Sequence, residues 1–215
     1  WIIAKVLGIN IKTFVPPMMF GNTGNLGLPI AVLALGEIAL GAAVVLFVIT
    51  MLLHFTFGAY ILSKNSNLLP VFRSPILIAT LAGIGINLID LEIWLPATQM
   101  IDLLGQAAIP LLLFTLGTRL IGVNFGEWKL GVLGAILCPL SGLVMALILV
   151  QFFDFETLHY QQLIIFSVLP PAVLNHVMAE KYQQQPETVA SIVMIGNIGS
   201  LFVLPIALYY VLLIN

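Results

Sequence analysis

The chain has 215 residues, of which 61% are hydrophobic and 7% are charged, and its mean hydropathy is +1.16. Soluble domains carry about 25% charged residues, so this composition excludes a soluble protein and indicates an integral membrane protein. No basic cluster is available for nucleic acid, and the single Cys138 leaves neither a disulfide framework nor a cysteine metal site.

Apolar segments long enough to cross a bilayer follow one another along the chain. Most approach or exceed the ~20 residues that a helical span needs, and the third is short. The seven predicted spans are residues 13–35, 40–63, 74–90, 97–121, 128–152, 159–181 and 187–213. The loops between them are brief, so residues 1–215 are predicted to form one transmembrane domain. Because the chain begins with Trp1 rather than Met, we expect upstream sequence to be missing.

The distribution of charge predicts an orientation. With a cytoplasmic N-terminus, all basic residues fall on the inner side, as the positive-inside rule requires. These residues are Lys5, Lys12, Lys64, Arg73, Arg119, Lys129 and Lys181. Several acidic residues fall outside, namely Glu37, Asp90, Glu92, Asp154 and Glu156. The C-terminus is then external.

The first span contains an interruption at residues 20–29, which read FGNTGNLGLP. Gly and Pro are poor helix formers, and broken backbone survives in a bilayer only where protein or a watery cavity covers it. Pro29 is predicted to begin a new half-helix, whose free N–H groups favour an anion. Asn22, Thr23 and Asn25 supply hydrogen bonds beside it, and Gly27 belongs to the same polar stretch.

A second interruption, LPPAVLN at residues 169–175, divides the sixth span. Pro171 is predicted at the start of its second half, with Asn175 and His176 one turn further on. An interrupted helix followed by a straight one thus occurs at 13–63 and, in the opposite orientation, at 159–213, which is typical of the inverted repeats of secondary transporters. The alternative is a pair of kinked, tightly packed helices.

Other polar residues within the spans can be interpreted either as functional groups or as ordinary structural residues. Asp102 is either an ion-coupling site or an interfacial acid, and His54 is either a relay or a hydrogen-bonded packing residue. Asn87 and Asn197 are interpreted as hydrogen-bonding partners between helices. No catalytic dyad and no metal cluster is present in the sequence, so neither an enzyme nor a cofactor is predicted.

The interrupted segments resemble those of a known family. Residues 21–29 (GNTGNLGLP), 108–117 (AIPLLLFTLG), 169–182 (LPPAVLNHVMAEKY) and 186–194 (PETVASIVM) are similar to motifs of the auxin efflux carrier permeases. The resemblance covers nearly the whole chain and is nearer to the bacterial permeases, including malonate transporters, than to the plant carriers.

The resemblance implies an all-α inverted-repeat transporter fold with two broken helices that cross at their prolines, as in bile-acid sodium symporters and sodium/proton antiporters. The family has ten spans, so this chain would supply about the last seven. Carried over by position, Asn22, Asn25, Pro29, Pro171 and Asn175 would line the crossing. The family moves organic anions by an elevator-like motion and is often dimeric.

The resulting prediction is a secondary transporter for small organic anions such as carboxylates, in a bacterial inner membrane. Sodium or proton coupling is an expectation without an obvious carrier other than Asp102. The alternatives are a sodium-coupled symporter of the same fold and a seven-span receptor.

Overall fold

The computed structural model of the chain describes residues 1–63, 75–119 and 126–213, and its regular elements over these ranges are helices. The α-helices are α1 (Ile2–Val6), α2 (Ile11–Met19), α3 (Leu28–Leu35), α4 (Leu40–Leu53), α5 (Ala59–Leu62), α6 (Pro75–Leu88), α7 (Leu95–Arg119), α8 (Trp128–Leu149), α9 (Thr157–Ser167), α10 (Leu174–Lys181) and α11 (Pro186–Leu212). Two π-helical turns, Thr23–Gly27 and His54–Gly58, and a 3₁₀ turn, Glu37–Ala39, connect several of them.

Four helical stretches among the described residues are long and apolar enough to cross a membrane: Glu37–Leu62, Leu95–Thr115, Trp128–Leu149 and Pro186–Leu212. They coincide with the predicted spans at 40–63, 97–121, 128–152 and 187–213. Two shorter apolar helices, Thr23–Leu35 and Leu77–Leu88, lie in predicted spans as well. The chain is therefore an integral membrane protein built from helices.

The third predicted span, residues 74–90, contains only the 14 residues of α6. At the rise of an α-helix this length covers about 21 Å, less than the ~30 Å hydrocarbon core. Lys64, Arg73 and most of the predicted loops at 63–67 and 122–127 lie outside the described residues.

The other two predicted spans are each divided by non-helical residues. Helix α2 ends at Met19 and the helical path resumes at Thr23, whereas α9 ends at Ser167 and α10 begins at Leu174. These non-helical residues lie within the segments 20–29 and 169–175 that the sequence singles out.

The predicted role as the first residue of a new helix is wrong for Pro171 but not for Pro29. Pro29 lies in the first turn of α3, which begins at Leu28 and directly continues the π-helical turn Thr23–Gly27. Pro171 lies in backbone that pairs with Gly21, three residues before α10 begins. At the second interruption, therefore, the helix resumes after the paired segment and not at the proline.

Small residues allow the helices to approach closely. Helix α8 makes its most extensive contact with α11, where a Cβ on Gly134 would lie 2.8 Å from Ile192 Cγ2. Near the middle of α8, a Cβ on Gly142 would overlap the Ser167 carbonyl oxygen at the end of α9. Such contacts are typical of helix packing in membranes. The hydrophobic effect does not drive helices together there, so association depends on close van der Waals packing, which small residues allow.

Hydrogen bonds connect the elements at both ends of the bundle. At one end the Lys12 ammonium donates to the Leu62 carbonyl over 3.0 Å, and the Thr13 hydroxyl donates to Gln185 Oε1 over 2.6 Å. At the other end the Gln161 amide donates to the Val211 carbonyl over 3.1 Å. Residues predicted to be cytoplasmic thus cluster at one end of the described bundle.

We predict that Gly142→Ala lowers the stability of the folded protein by about 1–3 kcal/mol, because the added methyl group must displace the backbone of Ser167. Thermal unfolding of the purified protein in detergent measures the effect. Gly41→Ala is the matched control, since nothing lies within 4 Å of its Cβ position. Equal melting temperatures for the two variants would contradict the packing described here.

Candidate functional site

The two non-helical segments cross and satisfy each other's backbone. Gly21 and Pro171 form an antiparallel bridge. The Asn22 N–H donates to the Pro170 carbonyl over 2.8 Å, and the Ala172 N–H donates to the Phe20 carbonyl over 2.9 Å. Because a membrane interior offers no water to unpaired backbone groups, this pairing satisfies groups that the two interruptions would otherwise leave unpaired.

Buried side-chain amides reinforce the crossing from α11 and α10. Asn197 accepts a hydrogen bond from Asn22 Nδ2 at 3.1 Å, and its own Nδ2 donates to the Pro171 carbonyl at 3.0 Å. Asn175 Nδ2 donates to the carbonyls of Phe20 and Ala172, both at 3.0 Å. Asn197 therefore has the helix-connecting role expected from the sequence, and Asn22 and Asn175 act first as structural partners.

A cavity of about 490 Å³ lies beside the crossing. It is lined by residues from both sides of the crossing and from two neighbouring helices: Gly21, Asn22, Thr23, Gly24, Asn25, Leu28, Phe47, Thr50, Met51, His54, Phe55, Leu112, Ala172, Val173 and Leu174. Its volume is in the range of small-molecule sites, and a few polar groups stand among apolar walls, as such sites require.

Both resumed helices begin at this cavity. The N–H groups of Gly24 and Asn25, in the first turn after Asn22, have no backbone acceptor among the described residues. The same holds for Val173 and Leu174 at the start of α10. Free N–H groups at a helix start carry positive partial charge, so the cavity is suited to a negatively charged group although no cationic side chain of the described residues lines it.

The residues predicted from the sequence divide into two groups. Asn22, Thr23 and Asn25 line the cavity, and Asn25 makes no side-chain hydrogen bond to any described residue. The other predicted residues, Gly27, Pro29, Pro171, Asn175 and His176, are outside the lining.

Three of these residues, Gly27, Pro171 and Asn175, contact the crossing segments or the helices packed on them. A Cβ on Gly27 would lie 3.0 Å from Leu169 Cδ1, and Pro171 packs against Gly196 of α11. His176 Nδ1 is 3.1 Å from the Pro186 carbonyl, so this nitrogen carries the hydrogen and donates it toward the start of α11.

One face of α4 and its π-helical continuation completes the cavity wall, with Phe47, Thr50, Met51 and His54. This face was not predicted as part of the site. The signal was nevertheless present, because positions spaced by three, four and seven residues share a helix face and two of these four are polar. His54 is 2% exposed, and its ring stacks on Phe20 with centroids 4.2 Å apart.

Asp102, the predicted ion-coupling residue, is exposed and accepts a hydrogen bond from Gln106 of its own helix at 2.8 Å. The cavity-lining residue of α7 is Leu112, about 15 Å further along the helix axis. The coupling role of Asp102 stays a prediction. No cluster of three metal-ligating side chains occurs within the described residues.

A second cavity, of about 780 Å³, lies between α6 and the first half of α7. Its lining includes Asn87 and Asp90 but no helix start and no buried polar side chain. The cavity at the crossing is therefore the better candidate for a ligand site.

A helical membrane protein with a largely apolar cavity beside two paired non-helical segments is compatible with a carrier, and comparison with known proteins identifies the family. Residues 60–208 match the family described as Membrane transport protein. The chain belongs to this family of membrane transporters, which are not enzymes, and its resemblance to the auxin efflux carrier permeases is confirmed.

A protein of Rhizobium meliloti (strain 1021) named "Putative malonate transporter" is 25% identical over 206 residues. The alignment covers 89% of this chain and 64% of that relative, so the chain spans a little under two thirds of the relative's length. No solved structure matches the chain.

We predict that Asn197→Ala lowers the free energy of unfolding by about 1–3 kcal/mol, because it leaves Asn22 Nδ2 and the Pro171 carbonyl buried without their partner. Thermal unfolding in detergent is the measurement. Asn87→Ala, at an exposed position of α6, is the control and should change stability little. A loss no larger than that of the control would show that Asn197 does not hold the crossing.

Proposed function

We propose that this chain is part of a secondary transporter that carries small organic anions such as carboxylates, bound in the cavity at the crossing. The observation that carries the proposal is that four residues whose N–H groups have no backbone acceptor among the described residues, Gly24, Asn25, Val173 and Leu174, line one cavity. Two helix starts can hold a carboxylate without a buried lysine or arginine, whose desolvation would be costly.

The walls of the cavity suit a short carbon skeleton. Phe47, Met51 and Leu112 are apolar, whereas Thr23, Asn25 and Thr50 offer hydrogen bonds. This combination favours a small mono- or dicarboxylate over an extended lipid or a cation. The name of the Rhizobium meliloti relative, a malonate transporter, makes malonate the first substrate to try.

The proposed architecture is an inverted repeat with two broken helices. The interruption after Met19 and the one after Ser167 lie in helices predicted to run in opposite directions across the membrane. Their mutual backbone pairing supports a pseudo-symmetric crossing of the kind found in bile-acid symporters and sodium/proton antiporters. Transport would move this unit, as an elevator, against scaffold helices of the complete protein, in a bacterial inner membrane and with a homodimer as the expected assembly.

A sodium-coupled symporter and a seven-span receptor are the two alternative functions. A sodium-coupled symporter of the same fold differs in requiring sodium for flux, and the cavity lining includes no carboxylate among the described residues that would hold the ion. A seven-span receptor does not require interrupted helices, so the crossing favours a carrier over a receptor.

We predict that Asn25→Leu reduces saturable uptake of malonate at least tenfold, because it removes the hydrogen-bonding group nearest the free helix start and adds apolar bulk. Since Asn25 has no side-chain partner among the described residues, the variant should fold normally. The measurement is uptake of labelled malonate, succinate, lactate and indole-acetate by proteoliposomes containing the complete protein, with and without sodium and proton gradients.

Asn87→Ala, outside the crossing cavity, serves as the control variant. Undiminished flux in a folded Asn25→Leu protein would exclude the cavity as the substrate site. Absence of flux of every acid in the wild-type protein would refute an organic-anion carrier altogether.

A further inference from the structure

One aromatic ring in the cavity wall lies directly against the first resumed helix. Phe47 of α4 and Gly24 of the π-helical turn Thr23–Gly27 both line the cavity. A Cβ on Gly24 would lie 2.8 Å from Phe47 Cε2 and 3.2 Å from Phe47 Cδ2, so the ring is packed against the glycine. A residue without a side chain at position 24 is what leaves room for the ring.

The contact involves these two residues and no third one. The three heavy atoms nearest to the Cβ position of Gly24 all belong to the Phe47 ring, and the φ angle of Gly24 lies outside the left-handed region. An alanine at position 24 would therefore be opposed by the ring and not by its own backbone conformation.

The contact lies at the part of the cavity that matters for an anion. The N–H groups of Gly24 and Asn25 have no backbone acceptor among the described residues, and under the proposed function they bind a carboxylate. A carboxylate bound there has the Phe47 ring beside it. The other phenylalanine of the lining, Phe55, packs on the core cluster that contains Met178.

We propose that Phe47 limits the length of the anion that the cavity accepts, so that short dicarboxylates are selected over long ones. The inference rests on the proposed function of the same cavity. Once one carboxylate is bound at Gly24 and Asn25, each further methylene group extends past the ring. The ring has no room to move toward Gly24, because the two residues are already in contact.

The test compares two dicarboxylates in the same protein. Proteoliposomes containing the complete protein receive labelled malonate or labelled adipate, and kcat/KM for uptake is measured for each acid. Phe47→Ala should raise the adipate-to-malonate ratio by about tenfold or more, since a single methylene group in an apolar pocket already changes discrimination by about that factor. A variant that folds or inserts poorly loses uptake of both acids and leaves the ratio unchanged.

Phe57→Ala is the matched control. Phe57 lies in the π-helical continuation of α4, but it is 48% exposed and does not line the cavity. Its adipate-to-malonate ratio should equal that of the wild-type protein.

A second variant tests the contact itself. Gly24→Ala should lower kcat/KM for malonate by about tenfold or more, because the new methyl group pushes the ring toward the bound carboxylate. Adding Phe47→Ala removes this clash, so the double variant should return to within about threefold of Phe47→Ala alone, as coupled neighbours do in a double-mutant cycle.

The outcomes separate the two proposals. An unchanged ratio in Phe47→Ala, an equal change in Phe57→Ala, or a double variant no more active than Gly24→Ala would overturn the role of Phe47 and leave the carrier function standing. Wild-type uptake of lactate or indole-acetate but of neither dicarboxylate would overturn selection by length alone. Absence of wild-type uptake of every acid would overturn both proposals.

Discussion

The structure depends on one constraint, that backbone N–H and C=O groups inside a membrane must be paired within the protein. The two non-helical segments pair with each other through Gly21 and Pro171, which satisfies backbone groups that no helix satisfies. Asn22 from the first interruption, Asn175 from α10 and Asn197 from α11 complete this pairing. Neither interruption would be tolerated in hydrocarbon without the other.

The N–H groups that this pairing leaves without a backbone acceptor belong to residues that line the cavity. Pairing uses the N–H groups of Asn22 and Ala172, so those of the first residues of the two resumed helices remain available. Close packing of α8 against α11 and against the end of α9 holds the second interruption in place, with Gly142 at the contact with Ser167. Close packing around a cavity lined by residues with free N–H groups favours binding, because little conformational freedom is then lost when a ligand binds.

The absence of a fixed cation from the described cavity lining has a physical consequence for a carrier. An anion bound only by helix starts and amides can be released more easily than one bound to a buried arginine, because no strong ion pair must be broken.

The sequence alone determined that this is a helical membrane protein and which family it belongs to, because long apolar runs and family motifs can be recognised locally in the chain. Only the tertiary structure decided that the second helix resumes at Leu174 rather than at Pro171, since Pro171 pairs with Gly21 of the other segment. It also brought Phe47, Thr50, Met51 and His54 to the cavity, because their position there depends on how α4 packs against the crossing and not on any spacing along the chain.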